Sequence, residues 1–155
     1  MINFKINTSK NFHDDFSISF NNSAININCD LYYFLINLKE EEKPSLYSYL
    51  SKYIDRQIQK LEALNPGDEL YFPIQIYDES TGFIYIQKFG SNKFCNIYFC
   101  TFQIEGWSFN PWKDEFKSLN KNDILSINGA LICSQEEIID SLNKFTNDIA
   151  MLKLN

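Results

Sequence analysis

The 155 residues predict a single α+β domain, an antiparallel β-sheet with a central meander packed against two to four helices. Two periodicities carry that expectation. Apolar and polar residues alternate near the amino terminus and again between Glu69 and Trp112, whereas residues 46–64 and 138–152 repeat their apolar positions with helical spacing. Fourteen Phe, nine Tyr and a hydrophobic share of 45% supply enough apolar area for one core without disulfide or metal staples.

Taken in order, INFKIN at 2–7 and FSISF at 16–20 alternate, and SAININC at 23–29 does so after Asn21-Asn22, a pair that tolerates a tight turn. Three strands are expected there, the second and third as a hairpin. At Asp30, a competent N-cap, the period changes to Leu31, Phe34, Leu35 and Leu38, which predicts a short helix to about residue 41. The run Leu31–Ile36 also fits a buried strand. After Pro44, the positions Leu46, Tyr49, Leu50, Tyr53, Ile54, Ile58, Leu61 and Leu64 trace one face of a five-turn helix, ended by Asn65-Pro66-Gly67.

The meander follows as Leu70–Tyr77, Phe83–Phe89 and Phe94–Ile104, joined by two short turns. Phe83 and Tyr85 alternate with Ile84 and Ile86, so the middle run is apolar on both faces and should lie centrally, covered on each side. Pro73 cannot donate to a ladder and points to an edge strand or a bulge. Lys113–Leu119 reads as a short polar helix, and Asn128-Gly129 between two apolar runs as a hairpin turn within 123–133. Ser134–Glu137 forms a capping box for a last helix bearing Ile138, Ile139, Leu142, Phe145, Ile149 and Leu152.

The net charge of −6 disfavours a nucleic-acid ligand, which needs clustered Lys and Arg. Residues 30–79 hold ten Asp/Glu against five Lys/Arg, whereas residues 1–29 balance and residues 80–155 hold eight against seven. Most of the excess is therefore concentrated around the predicted helices. Cys29, Cys95, Cys100 and Cys133 fit no zinc spacing and read as reduced core residues; Cys95 and Cys100, five apart in one strand, should face opposite ways. The first sixteen residues have no apolar signal-peptide region and no run is long enough for a membrane span, so a cytoplasmic location is expected.

Chemistry is sparse. His13 is the only histidine and stands beside Asp14 and Asp15 in a polar loop, where an ordinary surface role outweighs that of an oriented base. Nucleophile elbows, phosphate loops, HExxH and EF-hand patterns are absent, so no catalytic residue, metal site or cofactor is expected. Asp78/Glu79, Asp114/Glu115 and Glu136/Glu137 are adjacent pairs in turns or helix starts, where solvation or the helix dipole accounts for them. Glu40, Glu41 and Glu42, with Asp55, Glu62, Asp68 and Glu69 to follow, form either a solvated face or a recognition surface with Tyr47, Tyr49 or Tyr53 as aromatic anchors. Asp78, Glu79, Trp107 and Trp112 complete the candidate partner-binding set. The tryptophans read first as core plugs or a lid, and as hot spots if exposed.

The acidic segment Lys39–Glu79, the central meander and the lack of active-site residues together resemble the immunity proteins of bacterial contact-dependent or polymorphic toxin systems. That resemblance implies a stoichiometric protein that binds the toxin domain of its own system, often a basic nuclease, with no membrane partner. Two other readings stand beside it. A phage-encoded inhibitor such as an anti-CRISPR protein would space carboxylates like phosphates over an extended face, and a small-ligand module would show a pocket lined by Tyr71, Tyr85, Tyr98 and Trp107.

Overall fold

The computed structural model describes residues 2–7, 16–20, 26–30, 46–90, 93–108, 110–111, 116 and 119–152. These form two antiparallel sheets and two helices, an α+β architecture. The first sheet has the order β1 (Ile2–Ile6), β2 (Phe16–Phe20), β3 (Asn26–Cys29), with Phe4 opposite Ile18 and Ile18 opposite Ile27. Strict alternation puts Ile2, Phe4, Ile6, Phe16, Ile18, Phe20, Ile27 and Cys29 on its buried face. The expected helix from 31 to about 41 lies outside the described residues.

Helix α1 (Leu46–Glu62) buries the face predicted from its spacing, Tyr49, Leu50, Tyr53, Ile54, Ile58 and Leu61. Gly67, with φ of 92°, turns the chain after it, and Asp68 Oδ2 accepts the Asn65 N–H at 2.7 Å. The second sheet then runs β4 (Glu69–Ile76), β5 (Thr81–Lys88), β6 (Phe94–Phe102), β7 (Ile124–Ser134). Pro73 sits where expected on both counts: β4 is the edge strand of this sheet, and its register shifts between Pro73 and Gln75. The freed Pro73 carbonyl accepts a hydrogen bond from the buried Tyr53 hydroxyl at 2.7 Å, which ties α1 to the bulge.

One expectation is overturned. Residues 124–134 are not a hairpin but one continuous strand, because both halves pair with β6: Ala130 lies opposite Tyr98 and Asn128 opposite Phe99. Gly129 is the extra residue of a β-bulge, its φ of 68° supplying the left-handed geometry that a glycine adopts without strain. β6 is nine residues long and offers a ladder to both halves, so the Asn-Gly pair kinks the strand rather than reversing it. The strands divide between two antiparallel sheets, within the α+β class expected.

Helix α2 (Gln135–Leu152) starts on the predicted capping box: Ser134 N–H donates to Glu137 Oε2 at 2.8 Å, and Glu137 N–H donates to Ser134 Oγ at 3.1 Å. The Ser134 N–H bond, with a second from the Ser134 hydroxyl to the same Glu137 oxygen at 3.1 Å, holds the Glu137 carboxyl below its usual range. Ile138, Leu142, Phe145 and Ile149 enter the same core as the inner faces of both sheets and α1. α2 packs on α1 and β1, α1 reaches β4, and Gln75 Nε2 donates across the sheets to the Asn28 carbonyl at 2.8 Å.

The second sheet is also covered on its outer face at one end. Tyr71, Phe83, Cys100 and Phe102 are buried there, with Phe116 edge-on to Phe83 at 5.1 Å. Cys95 belongs to the inner core and Cys100 to this outer layer, as five-residue spacing requires, and all four cysteines are buried and outside any disulfide. Gly82 on the inner face has no room for a methyl group: a Cβ would stand 2.7 Å from Phe99 Cζ and 3.1 Å from Gln75 Cβ. Gly82→Ala is therefore expected to lose about 1–3 kcal/mol in urea unfolding, the usual cost of overpacking. An unchanged midpoint would mean that the Phe99 ring yields freely.

Candidate functional site

The turn Tyr77–Ser80 joins β4 to β5 and is closed by the Tyr77 N–H bond to the Ser80 carbonyl at 2.9 Å. Three further bonds bring distant chain to it. Gly106 N–H donates to the Tyr77 carbonyl at 2.9 Å, Thr81 Oγ1 to the Ile104 carbonyl at 2.8 Å, and Gln103 N–H to the Asp123 carbonyl at 2.9 Å. Residues 103–108 are thus pinned between the β4–β5 turn and the 3₁₀ turn Lys121–Asp123 that precedes β7.

The result is an open cleft of about 790 Å³ lined by Glu79, Gln103, Ile104, Glu105, Ser108 and Asp123. Among the described residues its walls carry three carboxylates and no cation. Trp107 stands between Glu105 and Ser108 in the 3₁₀ turn Gly106–Ser108, which Ser108 braces by donating both its N–H and its hydroxyl to the Glu105 carbonyl. The Trp107 side chain is 55% exposed, so it is not the core plug considered above. An exposed indole beside three carboxylates is suited to a partner that brings both an apolar contact and a positive charge.

Of the residues singled out in the sequence, only Glu79, Trp107 and the neighbouring exposed Asp78 meet here. Asp55 and Glu62 are exposed on α1, seven residues apart on the side away from the core. Asp68 is exposed but engaged in its own turn. Glu40, Glu41, Glu42 and Trp112 lie outside the described residues, as do His13, Asp14, Asp15, the Tyr47 side chain and most of Lys113–Leu119. Glu105 and Asp123 were missed: each is isolated from other acidic candidates in sequence, and only the backbone bonds above bring them beside Glu79. No protein-family model, curated protein or solved structure matches the chain.

Glu69 has a different setting. On the outer face of the second sheet Tyr71, Tyr85 and Tyr98 stack in a ladder, with ring centroids 4.8 Å and 5.8 Å apart. Glu69 Oε1 accepts the Tyr85 hydroxyl at 2.6 Å and Oε2 the Tyr71 hydroxyl at 3.1 Å. The three tyrosines, with Cys100, Phe102 and Ile127, line a groove of about 210 Å³ that does not include Trp107. Among the described residues no group of three or more His, Cys, Asp or Glu is placed to hold a metal ion, and no helix is long and apolar enough to cross a membrane.

Burial, then the Glu69 carboxylate, pushes the Tyr71 hydroxyl up to about 12 and raises Tyr85 as well, while burial pushes the Cys100 thiol up to about 11. The folded chain therefore keeps protons that the unfolded chain releases at ordinary tyrosine and cysteine values. Stability from these groups is complete below about pH 8.5 and declines from there toward pH 12, because the unfolded state then binds fewer protons. Glu69→Gln should let Tyr71 titrate earlier in an ultraviolet tyrosinate titration without restoring its ordinary value, since burial is the larger cause. An unshifted titration would show that Glu69 does not act on the ladder.

Proposed function

We propose that the protein neutralises a basic protein toxin domain by binding it stoichiometrically, as a cytoplasmic immunity protein does. The observation that supports this best is the cleft lined by Glu79, Glu105 and Asp123 with Trp107 exposed at its side. Such carboxylates attract Lys and Arg over a Debye length of about 8–10 Å and speed encounter, while an indole that loses water on contact supplies affinity. The contact surface on this reading is the end of the second sheet rather than the run Glu40-Glu41-Glu42.

The test is co-expression with toxin domains encoded next to the gene. Protection by the wild-type chain is expected, together with an affinity that weakens as salt rises. Replacing Glu79, Glu105 and Asp123 by Lys should remove both protection and salt dependence. If no neighbouring toxin is neutralised the immunity reading fails, and if the triple variant protects fully the cleft is not the interface.

The groove lined by Tyr71, Tyr85 and Tyr98 favours a second reading, a small-ligand module. A planar or apolar ligand held there would raise the melting temperature in a metabolite panel, and Tyr98→Ala would abolish that rise.

A further inference from the structure

We infer that two copies of the chain associate through β7, joining their second sheets edge to edge by an antiparallel pairing. β7 hydrogen-bonds only to β6, so among the described residues its other side presents unpaired N–H and C=O groups. Such edges are ordinarily blunted by Lys, Pro or inward-pointing charge. Here eleven consecutive residues, Ile124–Ser134, contain no Asp, Glu, Lys, Arg, His or Pro.

The exposed aliphatic residues concentrate on the same strand. Leu125, Ile127 and Ile132 are 56%, 58% and 65% exposed, and no other leucine or isoleucine is so exposed among the described residues. Ile127 and Ile132 lie opposite Cys100 and Asn96, which places both on the outer face, where the exposed Phe94 extends the patch. The Gly129 bulge twists the strand and leaves Ala130–Ser134 as its regular run, with Ile132 at the centre.

Charge and topology select a second copy as the occupant. A basic partner would be drawn to the acidic cleft and gains nothing from a neutral strand, whereas two copies of net charge −6 can come together closely only where neither carries charge. Among the described residues β7 is also an edge with no strand beside it, whereas β4, the other edge of this sheet, meets β3 through Gln75 and Asn28. Pairing about a two-fold axis consumes that edge on both copies and stops at a dimer, where a head-to-tail contact would propagate.

Sedimentation velocity of the full chain over a concentration series tests this. A dimer is expected, tightened by salt because screening relieves the repulsion between like-charged copies, the opposite of the salt response expected at the acidic cleft. Ile132→Lys should weaken it at least about 100-fold by setting like charges against each other across the axis, and Ile127→Lys, farther along the strand, should weaken it by placing a charge within the apolar patch. Both side chains are exposed in the single chain, and an unchanged circular dichroism spectrum at room temperature confirms folding. A wild-type monomer at every concentration overturns the inference, as does a dimer that persists in both folded variants.

Discussion

Phe145→Ala is expected to lower the unfolding free energy by about 3–5 kcal/mol, the range for removing a fully buried phenylalanine. The residue joins parts of the chain that share no local contact. From α2 its ring sits 5.5 Å from Phe4 and 5.6 Å from Phe16, so the helix that ends the described chain is seated directly on the sheet that begins it. Truncation opens a cavity bounded by two strands and a helix, none of which can close it without breaking its own ladder or its packing on α1. Against a usual total of about 5–15 kcal/mol, such a loss moves the urea midpoint far while leaving the slope nearly unchanged. A loss below about 1 kcal/mol would mean that the first sheet contributes little to the core and that α2 is held by α1 and the second sheet instead.

Trp107→Ala should separate binding from folding. With more than half of the indole exposed, its removal is expected to leave the melting temperature nearly unchanged, while the affinity for the neutralised partner falls by about 2 kcal/mol or more, roughly 30-fold. The loss should appear in the dissociation rate, because an aromatic anchor acts after contact; lysine replacements at Glu105 and Asp123 should instead slow association. Isothermal titration and surface kinetics on the two classes of variant distinguish them. Equal affinity of Trp107→Ala and wild type would remove the indole from the interface.

How far the sequence foretold these features depends on the range over which each is determined. The alternation of FSISF, the apolar face of α1 and the Ser134–Glu137 box are set within a few residues, and all are found as read. Pro73 also spoke locally, since a missing N–H can be accommodated only at an edge or a bulge. Asn128-Gly129 misled for the same reason: the dipeptide allows a reversal, but whether the chain reverses depends on β6, which supplies partners on both sides of Gly129. The cleft was the least legible element. Glu79, Glu105 and Asp123 are scattered over forty-five positions and meet through backbone bonds that no side-chain pattern announces, whereas the run Glu40-Glu41-Glu42 draws attention by proximity in sequence alone.

Ser134 is both the last residue of β7 and the cap of α2, with no connecting loop between them. The phase of the strand and the rotation of the helix are therefore set by one residue. Inserting a single residue at this junction would turn the helix by about 100°, carrying Phe145 away from the first sheet, whereas the same insertion in the exposed turn at Asp78 would only lengthen a loop. Length variation among natural relatives should avoid the first position and tolerate the second, and a pair of one-residue insertion variants would reproduce that contrast in the laboratory.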